Sequence, residues 1–231
     1  MSSSDVSVIS PEAYWWSRGH QILGPRDEEP MTILQHLGHG SVGIVEEVRR
    51  TEMFPTLVRK RAQLPAQKRL AEKTTAVIEE EIATLRNLRH PNNVSLVGSY
   101  EDRRQIRHAS YCLLMLPVGD NDLDSFLAVV SDPDLQRDVK DQYTSWIKSW
   151  YTDLASALAY MHANGVRHQD FKPSNIIHKG DHIFFTDFGS CGKFQVGQTT
   201  STLHPARTTE MYAAPEADFA MAGRCGRAFD I

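Results

Sequence analysis

Residues 168–189 bring together side chains that could do chemistry at close spacing. They run His168-Gln169-Asp170-Phe171-Lys172-Pro173-Ser174-Asn175, then a short apolar stretch, then Asp187-Phe188-Gly189. One segment thus offers an aspartate, a lysine, an asparagine and a second aspartate in polar loops beside strand-like runs. Phosphoryl transfer needs such a set: a base to position the acceptor, a cation for the moving group, and oxygen ligands for magnesium. Each residue alone reads as ordinary loop; their order and spacing carry the reading.

Other elements must position that segment. Gly38-His39-Gly40-Ser41-Val42-Gly43-Ile44-Val45 lies among strand-like runs at Ile33-Leu34, Ile44-Val45 and Leu57-Val58. Glycines there let backbone N–H groups approach phosphates, and the lack of a following long helix disfavours a dinucleotide fold. Between Gln67 and Leu88 the apolar spacing turns helical (Leu70, Val77, Ile78, Ile82, Leu85), and Pro91 blocks continuation. Val94–Tyr100 and Tyr111–Leu116 read as short strands. The strongest helical pattern spans Asp141–Ala163, with Tyr143, Trp146, Ile147, Trp150, Leu154, Leu158 and Met161 on one face and Asn164-Gly165 as its stop. The first half is therefore mainly sheet with one helix and the second mainly helical, with a hinge at Val118–Asn121.

Bulk properties exclude several classes. Hydrophobic content of 41%, charged content of 23% and a net charge of -4 over 231 residues are ordinary for a globular chain and give no reason to expect nucleic acid or an acidic membrane surface. Cys112, Cys191 and Cys225 are odd in number and far apart, against a disulfide framework and in keeping with a reducing compartment. No histidine pair sits at zinc spacing near cysteines. Met1–Pro11 lacks the basic and apolar regions of a signal peptide, and no run reaches the roughly 20 apolar residues of a membrane span. The expected location is cytoplasmic or nuclear. Tyr14, Trp15 and Trp16 read as a patch packed on a lobe. Nothing points to an oligomer.

Together these motifs resemble the eukaryotic serine/threonine protein kinase domain, over residues 31–231. The resemblance implies an α+β, two-lobed protein-kinase-like fold: an extension at 1–30, an N-lobe antiparallel sheet plus one helix at 31–118, and an incomplete helical C-lobe at 119–231. It implies ATP and Mg2+ as cofactors and a protein substrate with a Ser/Thr acceptor. Gly38, Gly40 and Gly43 would cover the phosphates. Lys60 takes the place of the ATP lysine, chosen over Arg59 and Arg61 by strand alternation and motif distance, and Glu81 that of its partner; Glu79 and Glu80 read as a solvated face. Met115, Leu116 and Val118 would form the adenine hinge, with Met115 as gatekeeper. Val45, Val58, Leu123 and Ile177 would cover the ring, and Asp122 would meet the ribose. Asp170 would take the acceptor's proton, Lys172 would stabilise the moving phosphoryl, and Asn175 and Asp187 would hold magnesium. Lys172, with Thr209 ahead of Ala214-Pro215-Glu216, implies serine/threonine specificity. The wording around Asp170 is also similar to that of kinases of filamentous fungi.

Two departures stand out. Gln169 replaces the arginine that in the family gathers an activation-segment phosphate; a neutral amide makes no such bidentate contact. Activity is therefore expected not to depend on phosphorylation of Thr199, Thr200, Ser201, Thr202 or Thr208. Second, the sequence stops at Asp230-Ile231, where the family's central C-lobe helix opens. That helix would anchor two stacks, Leu85-Leu96-His168-Phe188 and one including Val45, Val58, Leu123 and Ile177, so an unstable or partner-dependent chain is expected. The alternative to an active kinase is a truncated, inactive kinase-like chain acting as a nucleotide-binding or scaffold module. A small-molecule kinase fits Lys172 and Ala214-Pro215-Glu216 poorly.

Overall fold

In this computed structural model the described residues are 19–28, 30–40, 43–52, 54–105 and 108–193. The expectations for Tyr14-Trp15-Trp16, Ser41, Val42, the 199–209 segment, Ala214-Pro215-Glu216 and Asp230 lie outside them. The described residues fall into two units. One takes those up to Thr75 together with Leu96–Leu116; the other takes Ala76–Ser95 and those from Pro117 onward. The expected hinge at Val118–Asn121 begins two positions after that junction. Ala76–Ser95, expected with the first half, groups with the second unit because Asn92 and Val94 bond there: Asn92 Nδ2 donates to Ile183 O at 2.9 Å and Val94 N–H to Phe185 O at 3.0 Å.

The first unit is built on six strands: β1 (Gln21–Leu23), β2 (Thr32–Gly40), β3 (Gly43–Arg49), β4 (Leu57–Gln63), β5 (Ser95–Asp102) and β6 (Ser110–Leu116). They lie in the order β1-β5-β6-β4-β3-β2. The ladders β2–β3, β3–β4 and β4–β6 are antiparallel. One face buries Met31, Val48, Leu57, Tyr100, Cys112 and Leu114; each large apolar side chain so buried contributes about 1.5–3 kcal/mol. The short β1 is the departure from the sequence reading, which took residues before 31 as an extension without sustained periodicity. It pairs parallel with β5, Leu23 packs against the same core, and Arg103 N–H closes the ladder on Leu23 O at 2.9 Å.

Helix α1 (Lys68–Asn87) matches the 3.6-residue pattern to within a residue at each end and buries Ile78, Glu81, Ile82 and Leu85. In the second unit, β7 (Asn121–Asp122) leads into α2 (Leu123–Val130) and α3 (Arg137–Ala163). Strand β8 (Val166–Arg167) follows, then β9 (Ile176–Lys179), β10 (His182–Phe185) and β11 (Gly192–Lys193). The order β10-β9-β7 makes one small sheet and β11-β8 another. On α3 Trp150 and Met161 are the fully buried members of the expected apolar face, joined by Ala157. Trp150 anchors the helix to the β9–β10 turn through Nε1–H to Asp181 O at 2.7 Å, within a cluster of Phe126, Tyr143, Trp146 and His178 rings. No helix among the described residues is long and apolar enough to cross a membrane.

Candidate active site

Strand register sorts the charged residues of β4. Gly38, Val45, Lys60 and Leu113 are successive partners across β2, β3, β4 and β6, and Val58 pairs with Met115 two residues along. Paired residues share a face and alternate ones do not, so Gly38, Val45, Val58, Lys60 and Met115 lie on one side of this sheet. His36, Glu46, Arg59 and Leu114 form the corresponding row on the other. There Arg59 donates to Glu46 through Nε at 2.9 Å and lies 2.8 Å from it through NH2; Arg61 reaches it at 3.1 Å. Arg59 also donates to Tyr100 Oη at 3.0 Å. Thus both arginines flanking Lys60 serve Glu46.

Lys60 itself is only 4% exposed, and Glu81 on α1 only 3%. A charge that deep is retained only with a countercharge or hydrogen bonds. In the glycine run, a Cβ at Gly43 would overlap the Arg61 carbonyl oxygen and lie 2.8 Å from its carbon. No side chain fits while β3 and β4 stay paired.

In the second unit the catalytic-loop candidates converge. Asp170 is buried, its Oδ2 2.8 Å from Lys172 Nζ and 2.8 Å from Asn175 Nδ2, which also donates to Asp170 O at 2.8 Å. Pro173–Asn175 forms a single 3-10 turn started by the proline, with Asn175 N–H on Lys172 O at 2.9 Å. That turn folds the lysine and asparagine back onto the aspartate. Both Nδ2 hydrogens of Asn175 are used by Asp170, which leaves Oδ1 as an oxygen donor.

Asp187 has left-handed backbone (φ 58, ψ 66), uncommon for a residue with a side chain, and starts the 3-10 turn Phe188–Ser190. It is tied to the loop by its neighbours. Thr186 N–H donates to Asn175 O at 3.0 Å, and Thr186 O accepts from His168 Nε2 at 2.9 Å. The His168 ring packs on Phe188 at 5.4 Å between centroids, within this unit.

Asp122, expected at the ribose, caps a helix here. Its Oδ1 accepts from Ser125 N–H at 2.8 Å and its Oδ2 from Ser125 Oγ at 3.1 Å, capping α2. Val118 is buried, Leu116 half-buried, and Ile177 pairs with Asp122 and Phe184. The sequence reading missed the Glu46 cluster and the tie from His168 to Thr186; the first depends on register and the second on a backbone oxygen.

A family model for the protein kinase domain matches residues 31–230. The chain belongs to the protein kinase domain family. It is 34% identical over 137 residues to "CBL-interacting protein kinase 4" of Oryza sativa subsp. japonica, covering 59% of this chain and 28% of the relative. It is 30% identical over 191 residues to "Serine/threonine-protein kinase 36" of Pongo abelii, covering 81% and 13%. With "CBL-interacting serine/threonine-protein kinase 3" of Arabidopsis thaliana it shares 28% over 181 residues, covering 78% and 37%. The kinase domain thus spans well under half the length of these relatives. Its N-terminal strand β1 lies before the matched residues.

Magnesium fits the donors of the second unit. Among the described residues no three His, Cys, Asp or Glu side chains gather as a metal site. The hard-cation alternative is two protein oxygens completed by phosphate and water, and Asn175 Oδ1 with the Asp187 carboxylate offers that donor chemistry.

Proposed function

We propose that this kinase domain transfers the γ-phosphoryl group of ATP to a serine or threonine hydroxyl of a protein, with magnesium. Asp170 orients the hydroxyl and takes its proton as the new O–P bond forms and the bond to the bridging oxygen breaks, releasing ADP. Lys172, now beside Asp170, offsets charge on the moving group. Lys60 binds the α- and β-phosphates, and Glu81 takes the acidic-partner role that the family resemblance implies. Gly38, Gly40 and Gly43 lend backbone N–H groups. Met115, Leu116 and Val118 hold adenine, Val45, Val58, Leu123 and Ile177 give the ring apolar cover, and Asp122 meets the ribose with lone pairs left over from its cap. Asn175 and Asp187 would hold the metal, which would supply positive charge against the phosphates. Cys112 and Cys191, neither of them in a disulfide among the described residues, fit a cytoplasmic or nuclear setting.

The observation that carries this reading is the Asp170–Lys172–Asn175 knot: one buried carboxylate held by one cation and one amide, 2.8 Å each. Thermal unfolding with and without Mg-ATP tests it. At about 100 times Kd a ligand adds about 2.7 kcal/mol to stability, so the transition should rise with Mg-ATP. The rise should vanish in Lys60→Met and shrink in Asp187→Asn. An unchanged transition in the wild-type chain sinks the proposal.

A further inference from the structure

We propose that Gln169 and Gly192 form a size-matched pair that positions Asp170. This rests on Asp170 being the base assigned above. Gln169 is 4% exposed and has left-handed backbone, φ 63, for a residue with a Cβ. Such a conformation is costly and persists only where its surroundings impose it. One surrounding element is plain. A Cβ on Gly192 would lie 2.6 Å from Gln169 Oε1 and 2.7 Å from both Cδ and Nε2. The end of the glutamine therefore sits on the bare Cα of Gly192, in space that a Cβ at 192 would take unless this 4%-exposed side chain shifted.

The contact closes a ring of structure. Gly192 is the register partner of Arg167 in the β8–β11 ladder, and Arg167 precedes Gln169 by two residues. The chain leaves β8, turns at the strained Gln169, and is braced by Gln169 against the strand that pairs with β8. Asp170 is the next residue, so the peptide that Gln169 fixes is the one that aims its carboxylate at Lys172 and Asn175. The brace is a neutral amide against backbone. It supplies a physical means for the phosphate-independent arrangement expected from Gln169.

Gly192 is not among the positive-φ glycines, so alanine there adds a methyl group without backbone strain and probes the contact alone. The experiment compares wild type, Gly192→Ala, Gln169→Ala and the double variant. It reads kcat and KM with Mg-ATP and casein, and amide hydrogen exchange across residues 168–175. Gly192→Ala should lower kcat about tenfold, since small misplacements of a reacting group are costly. KM for ATP should stay within about twofold, the mark of a step-specific loss, and exchange should quicken. The double variant should be no worse than the poorer single variant, because either change already breaks the pair. Wild-type kcat and exchange in Gly192→Ala, or penalties that multiply in the double variant, would overturn the pair. If Gly192→Ala does not fold, Gln169→Ala decides: unchanged kcat and exchange overturn the proposal. If the wild-type chain transfers no phosphoryl group to casein or to itself, the proposed function fails. The exchange pattern then still decides whether the pair holds the loop.

Discussion

Glu46 and Asp170 are both carboxylates taken out of water and both held by cations, yet their surroundings differ in kind. Glu46 is 0% exposed and accepts from Arg59 twice and from Arg61 once, with His36 Nδ1 3.7 Å away. Arg59 is in turn tied to Tyr100. Rigid guanidinium forks occupy it on several sides. Asp170 meets a point charge, Lys172, whose side chain is 21% exposed, and an amide that also grips its own backbone. Next to it stands a strained residue. A buried carboxylate saturated by arginines holds strands together. A carboxylate held by a lysine ammonium and an amide, next to a residue with strained backbone, suits the role proposed for Asp170.

Removing Glu46 gives the largest expected effect on stability. Glu46→Ala leaves Arg59 buried without its carboxylate and should cost about 3–5 kcal/mol, read from urea unfolding. A loss below about 1 kcal/mol, the range of an exposed pair, would erase the distinction drawn here.

A second prediction tests how dry that side of the sheet is. Burial pushes the Cys112 thiol up to about 11, against an ordinary 9.0. The thiol is neutral in the folded chain where the unfolded chain has begun to ionise. Stability is therefore complete below pH 9 and falls between pH 9 and 11, by about 2–3 kcal/mol at one pKa unit per 1.36 kcal/mol. Unfolding midpoints of wild type and Cys112→Ala across pH 8–11 should converge as pH rises; parallel curves would mean a wet site.

The rim should give the smallest effect. The hydrogen bonds from Arg104 hold the Asp102 carboxyl below its usual range, at 2.9 Å from Nε and 2.7 Å from NH2. Its contribution exists above the ordinary carboxylate pKa and disappears as pH falls through the lowered folded value. For this part-exposed pair Arg104→Met should cost only about 0.2–1 kcal/mol at pH 7 and nothing below the folded pKa. An equal loss at pH 7 and at a pH where the folded carboxyl is protonated would show that the arginine acts by packing.

The two carboxylates were not equally legible in sequence. Asp170, Lys172 and Asn175 stand within six consecutive positions because one 3-10 turn must fold them together, and the chemistry admits few residue types. Glu46 reaches Arg59 and Arg61 across 13 and 15 positions. That meeting needs the β3–β4 register, which composition and local pattern do not encode. Strand β1 was missed for a related reason: three residues, one of them glutamine, show no period, and only the edge of β5 makes them a strand. Helices were easier. The long apolar spacing located α3, though its first turn begins at Arg137, ahead of the apolar face. The cap made by Asp122 was hidden behind its expected ribose contact, since one carboxylate serves either purpose.

The most direct test of the central claim is the rate of phosphoryl transfer from Mg-ATP to casein by Asp170→Asn, in protein whose unfolding midpoint is within about 1 kcal/mol of wild type. If Asp170 has the role proposed for it, the rate at saturating Mg-ATP falls about a hundredfold to ten-thousandfold while Mg-ATP still raises the unfolding midpoint. A wild-type rate in Asp170→Asn, or a collapse of its stability like that expected of Glu46→Ala, would contradict the account.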